Sequence, residues 1–376
     1  VLLQAIFTWS VPFMDAVEWS IELIGGQVSS VLNEGVFRDF VIDALFGGIG
    51  SFLVFVPQIF FLTFIVGLLE DSGYLARAAV ICHKPLKQFG LSGKSFIPLL
   101  TGHACAIPAI YASRTIASPK RRLLTILAVP LMGCSARLPV YALLIAAFIP
   151  ANSYFGGFIG LQGIVFFLLY FAGIFVALLV TSILSRTIYK HKNDTPFILE
   201  LPAYRIPHWR PLLKRSLNSC RQFITKAGFV IFNVTVIVWV LGYFPHGSGQ
   251  LESSWLANLG HIIEPVMQPL GLDWKYGVAI LSSFLAREVF VGTLGTLFGI
   301  EGAEENVAGL AEKIQSSGLS VGAGVSLLIF YAIALQCVST LALIRKELRS
   351  TKLAIVLFLS YGLLAYVLAW LAYQVI

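Results

Sequence analysis

The stretch FIPLLTGHACAIPAIYA (96–112) decides how this chain is built. It is apolar, yet Pro98, Gly102 and Pro108 interrupt it between Lys94 and Arg114. A transmembrane helix needs about 20 apolar residues, so the segment is too short and too broken to cross a bilayer comfortably. Its flanks carry the same sign: Lys84, Lys87 and Lys94 precede it, and Arg114, Lys120, Arg121 and Arg122 follow. A segment basic on both sides is expected to enter and leave on one face. Non-helical backbone at membrane depth survives only where protein buries it or where it lines a polar cavity. The reading is therefore a polytopic helical membrane protein with a re-entrant element.

Composition agrees. The 376 residues are 57% hydrophobic and 12% charged, against about 25% charged in a soluble domain, and the mean hydropathy is +0.85. These values exclude a disordered chain, a collagen and a small disulfide scaffold. Long apolar runs, rather than alternating ten-residue segments, argue against a β-barrel. There is room for about seven or eight crossings in an all-α permease domain over 1–376. The net charge of +7 sits in loops between apolar runs, where orientation in a bilayer requires it. No basic face remains for nucleic acid.

Outward from 96–112, the charge pattern sets a topology. Residues 1–9 read as the end of a truncated first crossing. Residues 10–35 hold Asp15, Glu18, Glu22 and Glu34 with no Lys or Arg, which suits the outer face. Residues 36–47 are weakly amphipathic and 50–69 form a clear span containing Pro57. The stretch 70–95, with Arg77 and three lysines, is expected to be cytoplasmic. Residues 123–150 cross outward but are broken at GCSARLP (133–139), and 157–185 return. The polar stretch 186–226 carries nine basic residues against Asp194 and Glu200 and reads as the main cytoplasmic loop. After 227–244 and an outer stretch over 245–275, the apolar run 276–299 holds Arg287 and Glu288 at its middle. Glu301, Glu304 and Glu305 follow, so this run is expected to be re-entrant from outside. Residues 320–343 then cross to the basic IRKELRSTK (344–352), and 353–374 cross back.

A broken segment thus precedes a crossing that holds a cysteine, twice and with opposite orientation. The first gate region spans 94–143 and the second 276–346. PLMGCSARLPVYAL (130–143) and IALQCVSTLALIRK (333–346) are weakly alike. Inverted repeats with discontinuous helices meeting at the midplane are a transporter architecture.

The chemistry-bearing residues gather at the breaks. Cys105, Cys134 and Cys337 each sit at or beside one, and thiolate is a soft ligand for transition metals. Against that stands the behaviour of cysteine as a small apolar packer. His103 is either a metal ligand or a hydrogen-bond partner for a carbonyl freed by the break. Arg137, Arg287 and Glu288 are pathway candidates or structural pairs; Glu70 and Asp71 are pathway candidates or a solvated helix end. The five cysteines form no CxxC pair and read as reduced thiols. LSGKS (91–95) invites a nucleotide-binding reading, but a P-loop needs glycine where Gln88 stands, and no strand precedes it.

Several motifs together carry a resemblance: LEDSGYLARAAV (69–80), GKSFIPLLTGHACAIPAIYASRTI (93–116), MGCSARLPVYAL (132–143), LELPAYRIP (199–207), FLAREVFVGTLGTLFG (284–299) and QCVSTLALIRKE (336–347). They resemble the membrane domain of the ferrous iron transport protein B family, in that family's order over nearly the whole chain. The resemblance implies Fe²⁺ import across the bacterial inner membrane, with Cys105, Cys134 and Cys337 along the iron path. It also implies coupling to GTP and Mg²⁺ in an N-terminal GTPase domain that this sequence lacks. Small cytoplasmic accessory proteins, the lipid bilayer and a homo-oligomer are implied partners. Many members carry GxGC in the first gate where this chain has Gly102-His103-Ala104-Cys105. The alternative is a gate-type transporter of another small solute, such as a nucleoside or another divalent metal.

The charge asymmetry makes a direct prediction. Single cysteines placed in 186–226 should resist an impermeant thiol reagent applied outside, whereas those in 301–317 should react; outside labelling of 186–226 would overturn the topology.

Overall fold

The computed structural model describes residues 9–33, 35–150, 153–154, 159–187, 204–245, 254–284, 287, 289–299 and 307–376. The expected truncated crossing over 1–9, apart from Trp9, lies outside these, as do Glu288, 188–203 and the acidic residues 301–306.

The described chain is helical, apart from a two-residue antiparallel ladder that pairs Ser153–Tyr154 with Ile159–Gly160. Helices α1 (Val11–Val31) and α2 (Val36–Asp71) come first. The short helices α3 (Tyr74–Ile81) and α4 (His83–Gln88) follow. Next are α5 (Phe96–Gly102) and α6 (Ala106–Ala112), separated by His103, Ala104 and Cys105. Helices α7 (Pro119–Ala128) and α8 (Leu138–Phe148) are separated by two 3₁₀ turns and an extended link, and α9 (Leu161–Thr187) is continuous. After these come α10 (Trp209–Gln222), α11 (Phe229–Tyr243) and α12 (Trp255–Met267). Helices α13 (Trp274–Ser283) and α14 (Val289–Leu297) flank the second break. The chain ends with α15 (Val307–Ser316), α16 (Val321–Ile333), α17 (Val338–Leu348) and α18 (Thr351–Val375).

Local chemistry sets the starts. Ser118 caps α7 ahead of Pro119, Ser320 caps α16, Ser350 caps α18, and the Asp273 carboxylate accepts from Lys275 and Tyr276 to start α13. Five helical stretches among the described residues are long and apolar enough to cross a membrane: Val36–Asp71, Pro119–Phe148, Leu161–Thr187, Val321–Leu348 and Thr351–Val375. The shorter Ile231–Tyr243 is also apolar. The expected seven to eight exceeds this count: the helices of the pairs α5–α6 and α13–α14 are seven to ten residues long, and Ile231–Tyr243 is also too short to qualify.

Burial then orders the crossings. The interrupted stretches Pro119–Phe148 and Val321–Leu348 are each 67% buried, whereas α9 is 11% and α18 28%. The broken crossings therefore sit inside and the regular ones form their lining.

Three expectations are corrected. The loop 186–226 contains α10, whose buried Leu212, Ser216 and Cys220 recur every four residues; that stripe was hidden beneath the basic count. The outer stretches 245–275 and 301–317 likewise contain α12 and α15. Residues 36–47 and 50–69 are one helix, α2, which passes through a π-helical turn at Phe40–Phe46.

The chain divides into two compact units, residues 1–77 with 201–259 and residues 78–200 with 260–376. In the first, α10 packs along α2, and Glu70 meets Arg215 at 2.7 Å. Arg205 Nε donates to the Asp71 carbonyl at 3.0 Å, and Arg77 lies over the Tyr204 ring at 3.6 Å.

The second unit holds the main apolar core and shows one order of elements twice. A broken pair (α5–α6, then α13–α14) precedes an interrupted crossing (α7–α8, then α16–α17) and a regular helix (α9, then α18). The two sets interlock, since α6 packs against α17 and α14 against α8. Each regular helix covers its own interrupted crossing, α9 on α7 and α18 on α16. Glu347 of α17 accepts from Arg122 of α7 at 2.5 Å and from Arg114 just after α6.

Close approach is built in at two glycines. A Cβ at Gly324 would meet the Phe148 ring, and one at Gly173 would lie 2.8 Å from the Leu131 carbonyl oxygen. The second neighbour is backbone at the interruption itself and has nowhere to go. Gly173→Val should therefore wedge α9 off the break and cost about 1–3 kcal/mol, read as a lowered Tm in detergent; an unchanged Tm would show that the packing is loose there.

Candidate functional site

A helix that stops inside a membrane leaves its last carbonyls and the next helix's first N–H groups without partners. In the second unit, side chains and backbone of a neighbouring interruption supply those partners. At the first break, the Ala104 carbonyl accepts from the Ser135 N–H at 3.3 Å and the Ser135 hydroxyl at 2.9 Å. At the second, the Phe284 carbonyl accepts from the Val338 N–H at 3.0 Å. Ser135 follows Cys134, Val338 follows Cys337, and Ala104 precedes Cys105. Each crossing is thus stitched, one residue past its cysteine, to the break of a short helix pair.

His103 is half-buried. Its Nδ1 donates to the Leu99 carbonyl at 2.9 Å, because a carbonyl can only accept, and its ring lies 5.3 Å from that of Tyr170. In the neutral ring the bond to Leu99 leaves the Nε2 lone pair available. The carbonyl-partner role is therefore realised without using the atom that could ligate a metal.

Arg137 is fully buried. Its Nη1 reaches the Leu131 and Met132 carbonyls at 3.3 Å, and its Nη2 reaches Pro130 at 3.1 Å and Ala334 at 3.4 Å. Arg287, 5% exposed, donates from Nε to the Gln336 carbonyl and from Nη2 to the Ala334 carbonyl, both at 3.0 Å. Both guanidinium groups therefore cap freed carbonyls and share one, that of Ala334. Tyr361 does the same for α7, its hydroxyl donating to the Leu127 carbonyl at 2.6 Å. Gln336, fully buried beside Cys337, and Tyr361 were not singled out from the sequence; the one signal for Gln336 was a polar group in an apolar run next to a break, and Tyr361, inside the unbroken α18, gave none.

Cys105, Cys134 and Cys337 are partly exposed, and the described cysteines form no disulfide. Among the described residues, no three His, Cys, Asp or Glu side chains come together closely enough to hold one ion. The breaks thus bring the predicted ligands into one region without gathering them around a point. Glu70 is an exposed ion-pair partner of Arg215 in the first unit, and Glu288 lies outside the described residues. Burial pushes the Cys82 and Cys220 thiols up, away from thiolate.

Paired interrupted helices, buried at the centre of an apolar bundle and lined by thiols and an imidazole, define a multi-pass membrane protein of the gate type. Comparison with known proteins agrees. The family described as "Gate: Nucleoside recognition" matches residues 52–148 and 224–351, and "Ferrous iron transport protein B C terminus" matches 166–218. A protein named Fe(2+) transporter FeoB in Leptospira biflexa serovar Patoc is 39% identical over 99% of this chain and 56% of its own length. One of that name in Staphylococcus aureus strain N315 is 40% identical over all of this chain and 55% of its own. A fusion of Fe(2+) transport protein A with Fe(2+) transporter FeoB in Porphyromonas gingivalis is 34% identical over all of this chain and 49% of its own. The chain belongs to the ferrous iron transport protein B family and spans about half the length of the relatives it matches. No solved structure matches it.

The capping role of Arg137 is testable. Arg137→Met leaves buried carbonyls unpartnered, each costing about 1–3 kcal/mol, so the Tm in detergent should fall markedly. Arg137→Lys should recover only part, since one ammonium lacks the guanidinium's fork. An unchanged Tm in Arg137→Met would refute the capping role.

Proposed function

We propose that this chain is the membrane path of a ferrous iron transporter of the bacterial inner membrane. In this reading the gate regions 94–143 and 276–346 are re-entrant elements of two inverted repeats. The observation that carries it is the stitching repeated in both sets: Ser135, next to Cys134, holds the carbonyl next to Cys105, and Val338, next to Cys337, holds the second break.

Cys105, Cys134, Cys337 and His103 then act as successive ligands rather than one cage. Fe²⁺ is a borderline ion that accepts sulfur and imidazole in place of water. Sites with few ligands each let the ion leave as readily as it enters. Mg²⁺ prefers oxygen ligands and dehydrates reluctantly, so it should compete poorly. Arg137 and Arg287 keep the interrupted backbone closed against collapse, and Glu288 is a further pathway candidate. GTP with Mg²⁺ would act in a domain outside this chain, and the fused relative favours a small accessory protein as partner. The second reading, nucleoside transport, draws on the description of the gate family and on the Gln336 amide at the second break. The thiol and imidazole at the first break favour the metal.

Uptake of Fe²⁺ by vesicles carrying the whole protein tests this. Cys105→Ser, Cys134→Ser and Cys337→Ser should each lower uptake roughly tenfold or more in folded protein, while Cys82→Ser and Cys220→Ser should transport normally. Equal uptake by all five would exclude a thiol path, and nucleoside uptake in place of iron would establish the second reading.

A further inference from the structure

Where α17 ends and α18 begins, the chain places Arg345, Lys346, Arg349 and Lys352 close together in sequence. All four residues are exposed. The one carboxylate of this stretch is already taken, because the Glu347 side chain is 4% exposed and pairs with Arg114 and Arg122. Among the described residues no ion pair reaches any of the four cations. Three of them converge. Arg345, Lys346 and Arg349, with Ala342, Ser350 and Thr351, line one open depression of about 490 Å³. Cations of one sign around a shared space raise the local concentration of an anion there.

The backbone supplies a separate observation. Arg349 ends α17 in the left-handed region at φ 50°, where glycine is the ordinary residue because a Cβ is strained there. Among the described residues it is the one non-glycine with a positive φ. A guanidinium is kept at a turn whose geometry favours glycine, which points to a use for the side chain.

Thr351 leads from the depression to hydrocarbon. Steps of four residues along a helix keep to one face, and from Thr351 they reach Ile355, Leu359 and Leu363, which are 49%, 60% and 66% exposed. Helix α18 is long and apolar enough to cross a membrane, so this line of side chains meets acyl chains. A ligand that fills the depression and follows the line has an anionic head and apolar tails.

We propose that the junction of α17 and α18 binds an anionic phospholipid. Arg345, Lys346 and Arg349 hold its phosphate, and its acyl chains lie along Ile355, Leu359 and Leu363. Basic pockets between membrane helices take such headgroups. A soluble phosphate would meet the same cations and none of the apolar line. The site rests on the multi-pass membrane class and stands whatever the cargo proves to be.

The test is thermal unfolding of the whole protein in neutral detergent, titrated with phosphatidylglycerol, with phosphatidylcholine of the same chains, or with glycerol phosphate. The Tm should rise saturably with phosphatidylglycerol alone, since a ligand that binds only the folded state stabilises it. Added salt should shrink that rise. Arg349→Gly relieves the left-handed residue, so without lipid it should fold and be at least as stable, while binding phosphatidylglycerol about fivefold more weakly. Arg345→Gln combined with Lys346→Gln leaves the turn untouched and should weaken binding about 25-fold; it carries the test if Arg349→Gly does not fold. An equal rise with phosphatidylcholine marks bulk lipid and overturns the proposal. A matching rise with glycerol phosphate makes this a soluble-anion site and overturns the lipid. Unchanged affinity in the variants places the lipid elsewhere and overturns the site. None of these outcomes depends on iron uptake.

Discussion

Backbone polarity inside a hydrocarbon-rich bundle is the constraint on which the rest of this molecule depends. An interrupted helix gives up hydrogen bonds that water cannot replace at that depth, so it exists only where neighbours replace them. Here the replacements are specific: Ser135 to Ala104, Val338 to Phe284, Tyr361 to Leu127, and two arginines to the carbonyls around 130–132 and 334–336. Remove the donors and the breaks become the most costly places in the protein. Keep them and the breaks become the places where polar atoms can meet a solute.

The same donors create an electrostatic problem. Two unit charges about 6 Å apart at an effective dielectric of about 20 repel by about 3 kcal/mol, and a divalent cation nearby would feel twice that from each. Arg137 and Arg287 are held by carbonyl dipoles, which offset part of this. A cation path past them, as proposed above, would need negative groups as well, and thiolates are what the described surroundings offer. Thiols, rather than further carboxylates, suit such a place, because a neutral thiol can wait in an apolar site and lose its proton only when metal binds.

Glu347 poses the converse case. Its carboxylate, nearly inaccessible, takes bonds from Arg114 and Arg122, so one buried charge joins the end of α17 to the chain around α6 and α7. It ties the two recurring sets of elements together at the side where Arg345, Lys346 and Arg349 gather. A buried carboxylate paired with two arginines is costly to leave half-made, which favours a contact that is either fully formed or fully open.

The sequence alone determined the class of structure, because hydropathy, proline and glycine act locally. Pro98, Gly102 and Pro108 announced the first break, GCSARLP the second interruption, and the run of Lys and Arg the loop after α9. It also marked Cys105, Cys134, Cys337 and His103, since a polar group in an apolar run is visible one residue at a time. Charge counting concealed α10, α12 and α15, whose burial depends on which face meets a neighbour. Only the tertiary structure decided what the polar residues do. Arg137 and Arg287, 150 residues apart in the chain, converge on one carbonyl, that of Ala334. Glu70, read as a pathway candidate or a solvated helix end, forms an exposed ion pair with Arg215. The physical reason is range: helix making and breaking are set by near neighbours in sequence, whereas hydrogen-bond satisfaction inside a bundle is set by whatever the fold brings alongside.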